Sequence, residues 1–253
     1  MRILIACEES QAVTKEFRKL GHEAYSCDLL PCSGGHPEWH FQDDVEKVLN
    51  GWFDQYELCV NDNFALKFNF HDKNKSFKLT KNRIKQVNWQ WDMIIAFPPC
   101  TYLTVTGNRW FDVKKYGDDA VKRYAERKKA IEFFMMFVHA KCDLIAIENP
   151  LGVMSSKYKK PNQIIQPYEF GDPFEKQTCL WLKGLNNLMP TKIVQPPPRQ
   201  KLKSGKTMPE WYSNAKHSER SLIRSKTFPG IAKAMANQWS NPKNHNKQYI
   251  LEL

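Results

Sequence analysis

The amino-acid sequence predicts an α/β protein built on a parallel-rich, doubly wound sheet. Three observations lead there. Strand, helix and strand patterns follow one another within residues 2–28, the same alternation returns between residues 92 and 147, and a polar or reactive residue follows each predicted strand of this frame. The chain has 253 residues, 42% hydrophobic and 26% charged, enough for one full-sized domain with a small appendage.

Taken in order, Arg2 to Ala6 is a short apolar run that reads as a buried strand. Ser10 is the expected cap of a helix whose Val13, Phe17 and Leu20 share one face, and Gly21 ends it. Glu23 to Cys27 is a second strand, closing at Asp28. Phe64, Leu66, Phe68 and Phe70 then alternate with small or polar residues, His71 to Lys75 is turn-like, and Phe77 and Leu79 alternate again. That pattern predicts a β-hairpin inserted into the frame. Asp92 to Phe97 is the next strand, cut by Pro98-Pro99. From Asp118 a helix is marked by Val121, Tyr124, Ile131, Phe134, Met135 and Val138, read as a core stripe. Cys142 to Ile147 is another buried strand, ending at Glu148-Asn149-Pro150. Thr178 to Leu182 is a further strand, Pro196 to Ser225 has the composition of loops, and a last helix starts at about Pro229. The expected organisation is a core over residues 1–184 with an insertion at about 50–90, a short basic region over 185–226, and a helix returning to the core followed by a tail over 227–253.

Net charge is +11, and between Lys157 and Lys226 there are 14 Lys and Arg against 5 Asp and Glu, so nine of those charges fall in one stretch. Such a field attracts polyanions, and nucleic acid is the commonest in a cytosol. No apolar run approaches the roughly 20 residues that span a bilayer. The N-terminal apolar run is too short for a signal peptide, and seven cysteines, an odd number in a long chain, are expected as thiols. A cytoplasmic protein without membrane attachment is therefore expected.

Ligands of open α/β sheets bind beyond the carboxyl ends of the strands. The first end offers Cys7, Glu8, Glu9 and Ser10, which open a helix N-terminus; the second offers Asp28 and Leu29. An acid at the second position suits ribose hydroxyls, and Asp44, of Asp43-Asp44, suits an adenine amino group. The first loop lacks GxGxxG, which argues against a dinucleotide. Cys27, Cys32, His36 and His40 have spacings that zinc tolerates. A loop at the cofactor's edge, with Trp39 packing near the adenine side, is the preferred reading, and no metal is expected.

The remaining ends carry a resemblance. Phe97-Pro98-Pro99-Cys100, followed by Thr-Tyr-Leu-Thr104, resembles the catalytic Pro-Cys loop of DNA cytosine-5 methyltransferases, and Glu148-Asn149 resembles that family's Glu-Asn motif. Gly171-Asp-Pro173 and the Ser225 to Ala234 segment resemble later family regions more loosely, and the whole is similar to short phage and prophage members. The resemblance implies a Rossmann-like S-adenosylmethionine-dependent methyltransferase fold. It implies S-adenosylmethionine as cofactor, held by Cys7 to Ser10, Asp28, Leu29, Asp44 and Pro98. It implies DNA, taken as double-stranded, as partner. Cys100 would be the nucleophile at cytosine C6, Glu148 the acid at N3, and Asn149 the group that orients loop or base; Arg109 would add to the phosphate grip. Lys176, Lys201, Lys203 and Lys206 would contact nucleic acid. The family's glycine-rich first loop is here Ala6-Cys7-Glu8-Glu9-Ser10-Gln11. Two other readings stand beside this one: RNA or a nucleotide as acceptor, and an inactive nucleic-acid-binding module.

Overall fold

Arg2–Ala6 forms β1, with Ile3, Leu4, Ile5 and Ala6 all removed from water, as a strand covered on both faces must be. It is an inner strand of a seven-stranded sheet in a computed structural model that describes residues 1–50, 57–60, 63–65, 79–80, 90–201, 205, 207–214 and 227–241. Helix α1 (Ala12–Lys19) leads to β2 (Glu23–Asp28); β3 (His40–Gln42) and α2 (Val45–Leu49) follow. Three short strands, β4 (Glu57–Val60), β5 (Asn63–Ala65) and β6 (Leu79–Thr80), form a separate antiparallel sheet with β4 in the middle. The chain re-enters the frame as β7 (Met93–Ala96), crosses by α3 (Val113–Val138) to β8 (Leu144–Pro150), and continues through α4 (Met154–Lys157). Next come β9 (Gln163–Ile165), β10 (Thr178–Lys183), a small hairpin of β11 (Arg199–Lys201) and β12 (Thr207–Pro209), α5 (Glu210–Asn214) and α6 (Pro229–Trp239).

The large sheet runs β3-β2-β1-β7-β8-β10-β9. Neighbours from β3 to β8 are parallel, and β10 is antiparallel to both β8 and β9. This is the doubly wound, parallel-rich α/β arrangement that the sequence predicts. Period-two alternation divides the core. Ile3, Ile5, Met93 and Ile95 face a layer with Val13 and Phe17 of α1 and Ile231, Met235 and Trp239 of α6. Leu4, Ala6, Ile94, Ile145 and Ile147 face the opposite layer, with Tyr25, Trp91, Phe134, Phe137 and Trp181. Each large side chain so buried contributes about 1.5–3 kcal/mol. The indoles of Trp91, Trp181 and Trp239 donate to the carbonyls of Val48, Lys159 and Asn186, so their burial leaves no N–H unpaired.

Four expectations are corrected. Ser10 is only a weak cap, with Ala12 N at 3.5 Å from its hydroxyl; the side chain that meets the start of α1 is Glu8. Leu20 lies past the helix end and is exposed. In α3, Val121 and Tyr124 are more than half exposed, and the buried residue of that turn is Ala120; the core stripe holds further along, where Phe134 is buried and Ile131, Met135 and Val138 pack partly buried against the core. Residues 196–225 hold the β11–β12 hairpin and α5, not loop alone. The inserted β segment is present, but β6 pairs with β4, and the expected turn at 71–75 lies outside the described residues. The start expected at Asp118 has a clear cause. Gly117 sits at φ 50° and ψ −131°, which breaks α3 into one leading turn, capped by Asp112, and the long helix proper.

Candidate functional site

The carboxyl ends of β1, β2, β7 and β8 lie side by side because these strands are parallel and in register, Ala6 opposite both Cys27 and Ala96, and Ala96 opposite Ile147. Every residue singled out after those strands is therefore delivered to one edge.

At the first end the chain turns through Cys7, at φ 59°, and Gln11, at φ 56°, two left-handed positions occupied by residues other than glycine. Glu8 is buried, and its carboxylate accepts from Val13 N at 2.6 Å, Thr14 N at 3.3 Å and the Thr14 hydroxyl at 2.7 Å. Burial pushes its acid up to about 7 from the ordinary 4.5, against the pull of those hydrogen bonds. The strained Gln11 is held by its own amide: Nε2 donates to the His36 carbonyl and to Ser26 Oγ, and Oε1 accepts from His36 N. Ser33 N donates to the Glu9 carbonyl, and its hydroxyl donates to the Glu9 carboxylate. A Cβ on Gly34 would come within 2.5 Å of Gln11 Cβ and of the Ser10 carbonyl, so the close approach here is made by a glycine of the neighbouring loop. Neither Gln11 nor Gly34 stands out by motif; the Gly34-Gly35 pair was the available signal.

The second end places Asp28 with its carboxylate accepting from Leu30 N at 2.9 Å. Leu29 and Leu30 are exposed at 73% and 60%, an apolar edge on an otherwise polar corner. Asp44 caps α2 through Glu46 N. Cys7, Asp28 and Asp44 are brought together: burial first, then the two carboxylates, push the Cys7 thiol up to about 12. Cys7 is thus a neutral thiol. Cys27, Cys32, His36 and His40 form no metal-binding group among the described residues. His40 has both ring nitrogens engaged, with Ser26 Oγ and the Leu30 carbonyl, and His36 stacks on Trp39 at 3.8 Å. Arg18 lies 4.9 Å over Trp39.

The other two ends are joined directly. Asn149 is 1% exposed, and its Nδ2 donates to the carbonyl of buried Pro98 at 2.7 Å. The partly exposed Cys100 opens a turn in which its carbonyl accepts from Leu103 N and Thr104 N. That turn is fastened on two sides. Leu103 O accepts from Val153 N at 2.8 Å, Val105 N donates to Leu151 O at 3.3 Å, and Thr104 pairs with Gly152. Arg127 of α3 donates from Nε to Tyr102 O at 2.8 Å. Glu148 and Asn149 lie within β8, opposite Leu180 and Cys179 of β10. Loss of hydration raises the Glu148 acid, while the Lys176 ammonium pulls it down. The Cys179 thiol is pushed up to about 11 by burial and then by Glu148. Arg109 is exposed and stacked 4.7 Å over Trp110. Lys176 lies 5.8 Å over the Phe228 ring, Lys201 is exposed at the end of β11, and Lys203 and Lys206 fall outside the described residues. The Asp172 carboxylate accepts from Gly230 N at 2.8 Å, linking the two segments of looser resemblance at the start of α6.

No family model matches the sequence, and no curated protein matches it. Among solved structures the chain is similar to an E. coli protein described as a candidate DNA modification methyltransferase encoded within a prophage. Identity is 14%, the TM-score is 0.39, and the match covers 77% of this chain and 52% of the other, so the chain spans about half the length of that structure. Among the described residues no helix is long and apolar enough to cross a membrane.

Proposed function

We propose that the protein is an S-adenosylmethionine-dependent methyltransferase acting on cytosine C5 in DNA, with Cys100 as nucleophile. The observation that carries this reading is the bond from Asn149 to the Pro98 carbonyl. It ties the turn bearing a partly exposed thiol to the strand bearing a desolvated carboxyl, in a fold whose other two strand ends form an acidic corner. Residues 1–184 are the proposed catalytic core, 185–226 a target-recognition region, and 227–253 the returning helix and tail.

The donor is tested by the chemistry of that corner. In a dinucleotide site the first helix N-terminus receives phosphate. Here Glu8 takes the Val13 and Thr14 amides for itself, and Asp28 and Asp44 stand beside Cys7. Such a corner repels phosphate and suits a cation with ribose hydroxyls and an adenine. Asp28 would hold the ribose, Asp44 the adenine amine, Leu29 the adenine face, and the Cys7 to Ser10 turn with Pro98 the methionine part. When bound, S-adenosylmethionine supplies an electrophilic methyl on a sulfonium.

Cytosine C5 is a poor nucleophile, which is why a thiolate and an acid are needed together. The Cys100 thiolate adds to C6, and the C5–C6 π electrons become available at C5. Glu148, raised by desolvation, keeps a proton to share with N3 as charge develops on the ring. After C5 has gained the methyl, its proton leaves to a base, and the electron pair it leaves behind expels the Cys100 thiolate from C6. A cytosine in a duplex must be flipped out to reach Cys100. Lys176, close enough to lower the Glu148 acid, and Arg109, Lys201, Lys203 and Lys206 are the proposed cationic contacts to the polymer. The test is covalent capture. Duplex DNA with 5-fluorocytosine and donor should trap the wild type, Cys100→Ala should neither trap nor turn over, and Glu148→Gln should bind DNA but react far more slowly. Full turnover by Cys100→Ala would overturn the thiolate mechanism.

A further inference from the structure

The 3-10 turn Val105–Phe111, which follows the Cys100 turn, carries rings and cations on the surface. The Arg109 guanidinium lies 4.7 Å from the centre of Trp110, Trp110 lies 5.1 Å from Tyr116, and the Lys115 ammonium lies 5.3 Å from the centre of Tyr116. Cation, ring, ring and cation thus follow one another. Arg109 and Lys115 are exposed, and Trp110 is 40% exposed. Val105, which begins the same turn, and Leu151, whose carbonyl accepts from it, are 46% and 40% exposed. Of the nearby acids, Asp112 is engaged with Lys114 N and Lys115 N, and Asp119 lies 3.9 Å from Lys122.

The platform beneath is fixed. Arg127 donates from Nη2 to Asn108 Oδ1 at 2.7 Å, and its guanidinium lies 3.5 Å from the centre of Phe111. Phe111 itself is buried against Tyr124. An exposed tryptophan on a pre-ordered turn spends little conformational entropy when something stacks on it.

We propose that the Arg109–Trp110–Tyr116–Lys115 ladder is a stacking surface for unpaired nucleobases of the nucleic-acid substrate. Aromatic and guanidinium planes accept any base face, and flanking cations suit the phosphates on either side. An acidic protein surface would match the cations but would leave the ring faces without use. The position explains the need: flipping a base to Cys100 leaves neighbouring bases with a bare face, and this turn begins five residues beyond that cysteine. The inference rests on the reading of Cys100 given above and adds a contact that fixes the strand beside it.

The test uses the full-length protein and two labelled 12-mers without cytosine, oligo(dT) and an abasic strand of the same charge, at one salt concentration and without donor. Wild type should bind oligo(dT) about tenfold more tightly than the abasic strand. Trp110→Leu, which keeps apolar bulk without a ring face, should lose that difference while binding the abasic strand as before, and Trp110→Tyr should keep most of it. Equal binding of the two strands by the wild type, or undiminished discrimination by Trp110→Leu, overturns the ladder. Because neither strand holds cytosine, the result is independent of methylation: discrimination without covalent trapping would refute the enzyme reading alone, and trapping without discrimination would refute the ladder alone.

Discussion

Gly152→Ala should cripple the Cys100 turn from a distance. A Cβ at Gly152 would lie 2.1 Å from the Leu103 carbonyl oxygen, 2.9 Å from its carbon and 3.3 Å from Thr104 Cα. An ordinary non-bonded contact is roughly 3.5 Å, so the two backbones must part by more than about 1 Å. No side-chain rotation relieves this, because every atom met is main chain. Overpacking of this kind costs about 1–3 kcal/mol. The parting also strains the bonds from Val153 N to Leu103 O and from Val105 N to Leu151 O, each contributing about 1 kcal/mol. A loss of about 3–4 kcal/mol lowers the melting temperature by roughly 10 °C in a chain of this size. A displacement of about 1 Å at a reacting group slows chemistry by roughly 100-fold. The assay pairs a thermal melt with the rate of adduct formation on 5-fluorocytosine DNA. Gly107→Ala is the control on the same loop, because its Cβ would find its nearest atoms at 3.6 Å and should be tolerated. If Gly152→Ala melts and reacts like Gly107→Ala, the close approach of these two loops is wrong.

Three further outcomes follow from the site. The Glu8 acid stands at about 7 in the fold against 4.5 ordinarily, so the fold holds a proton there that the unfolded chain releases. Stability from this group is fully present below about pH 4.5 and is lost as pH rises through 7, by about 3 kcal/mol; urea melts at pH 5 and 7.5 should show that loss in the wild type and a flatter profile in Glu8→Gln. Asn149→Ala should leave the buried Pro98 carbonyl unpaired, costing about 1–3 kcal/mol in denaturant melts and slowing adduct formation more than it weakens DNA binding. Neutralising Lys201, Lys203 and Lys206 together should reduce the slope of log affinity against log salt, by about 0.9 for each phosphate that the protein no longer neutralises; an unchanged slope would place the polymer elsewhere.

The frame was legible because hydrophobic patterning reports burial directly. The run from Ile3 to Ala6 has the pattern of a strand covered on both faces, and Ile131, Phe134, Met135 and Val138 that of the inner side of a helix. The placement of Asp28, Cys100 and Glu148 was legible for the related reason that an α/β sheet sends whatever follows its parallel strands to one edge. Short elements were not. β3 and β9 have three residues each, too few for any period to show, and exist because a neighbouring strand offers them partners. Val121 and Tyr124 have the spacing of a core stripe, yet they stand beyond the part of α3 that the sheet covers, and spacing carries no information about where a covering layer ends.

The loops divide in the same way. Sequence by itself determined the α/β class, the polar and reactive residues that follow the strands and the positive charge of the second half. It also showed that the first loop lacks the glycines of a dinucleotide site. Only the tertiary structure decided that Glu8, not Ser10, closes the start of α1, that Gln11 is held in a left-handed turn by Ser26 and His36, and that Asn149 reaches Pro98 across 51 positions of chain. The physical reason is range. Periodicity and turn preference act between residues a few positions apart, whereas each of these bonds is made by whichever polar group the packed core leaves facing an unpaired amide or carbonyl.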